Sequence, residues 1–480
     1  MGDSDGRARR RLTRTPPPWA TVAVLAFAGL CSSFMFTLVV PLQAELPELL
    51  NASREDTSWV VTITLLVAAV ATPISGRLGD MYGKRRVVLA LLALLVLGSL
   101  IAALAGSIVG VIIGRALQGA VTGVIPLGIA IMRDVLPPER LGTAVALMSA
   151  TMGVGGALGM PIAAQLALNA DWHALFWLAA ALGALGLPLV ALAVPGDVLR
   201  TAGRLDLLGA AGLALGLTGI LLLVSRGAEW GWGSPLTLTC GIGGMVVLLL
   251  WGWYQLRAAE PLLDLRVAAR PAVLLTNVAA IGMGFALFSS NVTFPQMLEL
   301  PVETGSGFGL DMMQAALVVM PAGLVMMVIS PLSGWLERTV GPRPLFTGGT
   351  AAIVLAYVFV LIWSTEVWHI LVANILIGVG IGFTFAAMPM IIMRSVPAHE
   401  TGASNGLNAL FRSVGTSSAS AVMGGVLASM SVDFEGRAVP TREAFGVCFW
   451  LAIAAGVVAL VLSLLIPKQP AGGERASLPN

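Results

Sequence analysis

Long apolar stretches separated by short polar ones recur along almost the whole 480-residue chain. A helix needs roughly 20 apolar residues to cross the hydrocarbon layer of a membrane. Fourteen stretches bounded by charges, proline or glycine suit that task, at 19–46, 57–77, 87–105, 108–132, 141–168, 174–194, 206–224, 235–254, 271–293, 312–335, 345–363, 367–391, 402–430 and 444–466. The pattern predicts an all-α polytopic membrane protein with 14 transmembrane helices and polar tails at 1–18 and 467–480.

Composition agrees. The chain is 57% hydrophobic and 11% charged, against about 25% charged residues in soluble domains. So few charges cannot cover a soluble surface of this size, so lipid is expected to cover most of it. With the N-terminus inside, the inner loops and tails hold 21 Lys and Arg, and the outer loops hold four: Arg54, Arg226, Arg437 and Arg442. The positive-inside rule then puts both termini in the cytoplasm of a cell whose plasma (inner) membrane holds the chain. The net charge of +2 points to no nucleic acid. Cys31, Cys240 and Cys448 are scattered in apolar stretches and have no metal-ligand spacing. No Walker-type phosphate loop appears, and no run outside the helices could form an enzymatic domain. No metal, cofactor or catalytic activity is expected. The bilayer is the expected partner, with a monomer as the expected state.

The chain also repeats itself. Gly76, Leu78, Gly83 and Arg85 match Gly334, Leu336, Gly341 and Arg343 at one offset of 258. Arg133, Val135 and Glu139 match Arg394, Val396 and Glu400 at an offset of 261. Two six-helix bundles follow, 19–195 and 271–466, with 196–270 as a linker carrying two inserted helices. Two similar bundles around a central site can rock against each other and expose it to either side in turn.

The segment Gly76 to Arg86 resembles the signature loop of the major facilitator superfamily, with Met81 where the family usually has a base. The resemblance implies a latch between the halves made by Gly76, Asp80, Gly83, Lys84, Arg85, Arg86 and Arg133, holding the outward-open state. Gly114 to Gly119 resembles the family's helix-four motif and implies that Arg115, with Gln118, assists proton transfer. On physical grounds too, a charge near mid-membrane costs at least about 2.5–3.5 kcal/mol and is normally paired and functional. The helix-five run Gly153 to Pro161 resembles the antiporter motif through Gly155, Gly159 and Pro161. Gly203 to Gly209 and Pro295-Gln296-Met297 with Pro321 resemble the fourteen-helix drug:proton antiporter branch. The implied function is proton-coupled export of small amphipathic compounds such as drugs or natural products. A lipid or lipid-precursor translocator and a non-transporting membrane sensor stay open beside it.

Phe34, Met35, Phe36, Phe285, Phe383 and Met388 are candidate apolar linings of a substrate cavity, and Asn374, Asn408 and Arg412 candidate polar ones. The branch usually has an acid in helix one, where this chain has Leu38. Glu45 is the nearest acid in sequence and the candidate proton carrier, with Glu299 and Asp311 as substitutes.

Overall fold

The computed structural model describes residues 17–39, 42, 46–196, 206–397, 400–434 and 437–467. Glu45 lies outside the described residues. Among those described, fourteen long helices follow one another. The first six are α1 (Pro18–Thr37), α2 (Arg54–Tyr82), α3 (Lys84–Ala103), α4 (Ile108–Val135), α5 (Pro138–Asn169) and α6 (His173–Ala193). Two more are α7 (Leu207–Trp230) and α8 (Pro235–Gln255). The last six are α9 (Pro271–Glu299), α10 (Met312–Val340), α11 (Pro342–Ile362), α12 (Val367–Ser395), α13 (Thr401–Ser429) and α14 (Arg442–Leu465). The end of the bundle from which α1 starts is called here the basic face.

Thirteen of these helices are long and apolar enough to span a membrane. The exception is α13, which carries Ser, Thr, Asn, Gly and Arg412 along its length. It can be polar because it is wrapped: α2, α9 and α7 pack around it. Leu407 and Leu410 of α13 join Leu213, Leu217 and Leu221 of α7 in one apolar cluster. The inserted pair therefore covers the seam where α2 meets α13. Its helices are tied together by Asp206, which caps α7 at the Gly209 N–H (2.7 Å) and accepts from Tyr254 (3.0 Å) and Gln255 (2.8 Å) of α8.

The larger cores divide by half. One is built from α1 to α6, with Met390 and Met393 of α12 joining it, and the other from α9 to α14.

Three elements differ from the sequence expectation. The first helix ends at Thr37 rather than near residue 46, with Leu46–Leu49 a separate short turn of helix. Pro41 lacks the N–H that would bond the Thr37 carbonyl, so a helix running through it would lose a rung. An antiparallel hairpin, Ser431–Phe434 against Arg437–Pro440, joins α13 to α14. Arg226 does not sit in a loop: it lies in the last turns of α7 and is 0% exposed. Its guanidinium donates to Ser58 Oγ (2.6 Å), pairs with Glu229 and stacks 4.2 Å from the Trp59 ring centroid, anchoring α7 to α2.

Candidate transport site

At the basic face the two halves touch through two related crossings. Gly76 of α2 meets Gly402 of α13 so closely that a Cβ on Gly76 would lie 2.6 Å from the Gly402 carbonyl oxygen. Gly334 of α10 meets Gly142 of α5 in the same way, with 2.5 Å to the Gly142 carbonyl. Both parent helices end in a glycine of positive φ, Gly83 (109°) and Gly341 (79°), a conformation closed to most side chains.

Side chains complete the first crossing. Asp80 is 3% exposed, and its Oδ2 accepts from the Ala403 N–H at 3.2 Å, in the first turn of α13. Helix N-termini present unpaired N–H groups and a positive dipole end, so a carboxylate is favoured there. Arg133 reaches across as well, to Thr401 Oγ1 and to the Val396 carbonyl (3.3 Å). The other basic members of the signature stay within their own half. Lys84 holds Asp134 at 2.5 Å and Asp80 at 3.9 Å, Arg85 donates to the Ala191 carbonyl, and Arg86 is exposed.

Arg115 is 1% exposed. Its Nη1 donates to the Met35 carbonyl and to Gln118 Oε1, both at 2.9 Å, and Nε points to the Val60 carbonyl at 3.4 Å. Gln118 passes the chain on to Ser99 Oγ at 2.8 Å. One guanidinium thus ties α4 to α1 and α2 through backbone oxygens, and among the described residues no carboxylate pairs with it. Just beyond, α4 tightens into a 3-10 turn, Ala120–Gly123. Such a turn inside a long helix often marks a hinge.

The helix-five glycines serve close packing. Gly155 and Gly159 lie one turn apart and face Ser33, Phe34 and Thr37 of α1, while Gly153 faces Met326 of α10. Pro161 continues the helix two residues beyond Gly159. The candidate lining residues fall into two groups. Phe34, Met35 and Met388 are buried, and Phe36, Phe285 and Phe383 are partly buried. Phe383 packs on Gly349 of α11. Asn374 and Asn408 are each 2% exposed and bond to neighbouring helices. Asn374 donates to the Val318 (3.3 Å) and Val319 (2.5 Å) carbonyls, next to the interruption at Pro321. Asn408 donates to Asn277 Oδ1 at 3.0 Å, joining α13 to α9. Of the substitute acids, Glu299 is exposed at the end of α9, and Asp311 caps α10 by accepting from the Gln314 N–H (2.7 Å).

Arg412 is different from all of these. It is only partly buried, its guanidinium lies 4.9 Å from the Phe385 ring centroid, and Gly284 of α9 lets its stem pass. The backbone carbonyl of Phe385 accepts from Ser149 Oγ of α5 at 2.9 Å, so this arginine stands at the contact between halves. Sequence reasoning missed Arg226, Ser149, Arg394 and Glu337 as partners. The offset that relates Arg133 to Arg394 is the signal that could have drawn attention to Arg394.

A helical bundle of two related halves, closing at one face around a polar α13, is a secondary-transporter architecture. The model of the Major Facilitator Superfamily matches residues 25–420, and the chain belongs to that family. Among curated relatives, a Mycobacterium tuberculosis transporter of the family, Rv1877, uncharacterised by name, is 27% identical over 83% of this chain and 58% of its own length. The lincomycin resistance protein LmrB of Listeria monocytogenes is 26% identical over 71% of this chain and 72% of its own. The tetracenomycin C resistance and export protein of Streptomyces glaucescens is 25% identical over 86% of this chain and 76% of its own. The chain thus spans less than two thirds of Rv1877. Among solved structures, the proton:xylose symporter XylE superimposes with a TM-score of 0.67 at 13% identity, covering 94% of this chain and 96% of that one, which shows the fold. The chain is a multi-pass membrane transporter, not an enzyme.

Proposed function

We propose that this transporter exports small amphipathic compounds in exchange for protons, by alternating access, with its basic face in the cytoplasm. The observation that carries the reading is the doubled glycine crossing: Gly76 on Gly402 and Gly334 on Gly142 close the basic face symmetrically. A bundle closed there is ready to release cargo on the other side, and parting both crossings together would admit cargo from the cytoplasm. The names of two relatives, a lincomycin resistance protein and a tetracenomycin C export protein, support export as the direction. Asp80, Arg133 and the two glycine pairs are the proposed latch, with Lys84 and Arg85 bracing Asp80 and α3 from within the half. Arg115 is the proposed centre of proton coupling, holding α1 against α4, and Glu45 the proposed carrier.

The test is efflux from proteoliposomes holding the purified protein. An imposed proton gradient should drive movement of an amphipathic dye against its gradient, and a protonophore should abolish it. Equal movement with and without the protonophore would reject proton coupling. Reporter fusions at the two ends test the orientation, since a signal from the outer side at either end contradicts it.

A further inference from the structure

We infer that Arg412 is an anion-receiving group, and that the compounds this transporter handles best are amphipathic organic acids. The inference deepens the proposed function by naming a substrate class. It starts from an imbalance of charge. Arg412 sits 11 residues into α13, which begins at Thr401, or roughly 16 Å along the helix from the basic face at 1.5 Å per residue. A guanidinium carries five N–H donors and no acceptor, and it stays protonated in proteins. At that depth it needs a partner, because a charge left in hydrocarbon without one is costly.

The other deep cations all have partners. Arg115 has the Met35 carbonyl and Gln118, and Arg226 has Ser58 and Glu229. Among the described residues Arg412 has neither a hydrogen bond nor an ion pair, only the face of Phe385. Nor is it sealed off, because the residue is only partly buried. Three features keep it there. Gly284 leaves room for its stem on the α9 side, and a side chain at that position would strike the Arg412 backbone carbonyl. The Phe385 ring stacks on the guanidinium from the α12 side, which leaves the donors at the guanidinium edge free. Ser149 of α5 fixes the Phe385 backbone from the opposite half at 2.9 Å. The result is a fixed cation with unused donors, an aromatic wall beside it and apolar helices around it. A carboxylate on an apolar body fits: the charge meets the donor edge in paired hydrogen bonds, and the body stays among the apolar helices.

Equilibrium binding to the purified protein in detergent tests this without any transport step. The probes are 1-naphthaleneacetate, its uncharged amide, and 1-naphthylethylamine, which share one ring system and differ in charge. The wild type should bind the acid at least about tenfold more tightly than the amide, since charge-assisted hydrogen bonds are worth about 1.5–3 kcal/mol, and should bind the amine weakest. Arg412→Gln should bring the acid down to the amide's affinity. Arg412→Lys, which keeps the charge and loses the fork, should keep part of the preference. A monodisperse elution profile checks that each variant is folded. Equal affinities for acid and amide in the wild type, no measurable binding of the acid, or an unchanged preference in Arg412→Gln overturns the inference. Binding that favours the acid, together with efflux indifferent to protons, would sink proton coupling and leave the anion site standing.

Discussion

The two halves close the basic face with the same backbone device and with different side chains. In both, a helix ends at a positive-φ glycine and crosses the other half glycine on glycine. In the N-terminal half the acid works across the boundary: Asp80 accepts from Ala403 of α13, and Arg133 reaches Thr401. In the C-terminal half the residue that the offset matches to Asp80 is a base, Arg338. Arg338 donates to Thr143 of α5 across the boundary at 3.3 Å, while Glu337 lies against Gly142 of α5 and is held by Arg394 of its own half. The deep arginines part in the same manner. Arg115 is held through Nε and Nη1 by two carbonyls and Gln118 of its own half, and Arg412 is left open at the boundary. A repeat therefore preserves what sets helix approach and lets the charges specialise. The N-terminal half carries the acid that caps the facing helix, and the C-terminal half carries the open cation.

Filling the crossings should have the largest effect. Gly76→Val and Gly334→Val each place carbon against a backbone carbonyl, a clash that cannot be relieved by turning a side chain. Overpacking of this kind costs about 1–3 kcal/mol, so each variant should lose transport by about tenfold or more. Cysteine labelling at the basic face should rise in both. A variant at either position with wild-type rates would break the equivalence of the two crossings.

The charges should separate the halves. Asp80→Asn weakens the carboxylate's hold on the α13 N-terminus, worth about 0.3–2 kcal/mol. It should slow transport severalfold while folded yield stays near wild type. Glu337→Gln instead leaves Arg394 facing a neutral amide, and breaking a buried pair can cost about 3–5 kcal/mol. Since Arg394 is partly exposed, the loss should be smaller than that, and it should appear as lowered thermal stability more than as lost transport. The reverse outcome, a stability loss at Asp80 and a pure rate loss at Glu337, would invert the assignment. Arg115→Lys should fall between wild type and Arg115→Ala in transport, because an ammonium lacks the planar fork that bonds Met35, Val60 and Gln118 together.

Much of the fold is legible in the sequence, because apolar segments of membrane length announce themselves. The most polar of the long helices, α13, is still legible at 402–430, since its ends carry Ala, Leu, Val and Met. The doubled loop motif also stands in the sequence, at a constant offset. What periodicity could not carry is which helix faces which. A segment apolar all round has no marked face, so nothing local reveals that Asp80 meets a backbone N–H 323 residues away. The same limit applies to Asn374 and Asn408. Polar residues in apolar helices suggest a lined cavity, whereas the structure uses both to join helices. The end of the first helix lay in Pro41, a stop signal inside an otherwise unbroken apolar run.

The smallest effect is expected at the two loop glycines, and it probes the comparison most finely. Gly341 has φ of 79°, and a Cβ there would meet nothing within 4 Å. Gly341→Ala therefore adds no clash, and its cost is the backbone conformation alone, about 1–3 kcal/mol. Gly83 has φ of 109°, and its N–H bonds the Gly79 carbonyl at 3.0 Å, beside Asp80 and Lys84. Gly83→Ala should cost a similar amount of stability. The strain, however, falls on the elbow that aims Asp80 at α13. Both variants should then lose a few degrees of thermal stability, about what 1–3 kcal/mol removes from a protein of this size. Only Gly83→Ala should also slow transport, by about twofold to fivefold. Combined with Asp80→Asn, Gly83→Ala should slow transport no further, because the contact it misaims is already weakened. A further loss in the double variant would show that the elbow acts on something other than the Asp80 contact, and the N-terminal half would then no longer owe its closing role to that carboxylate.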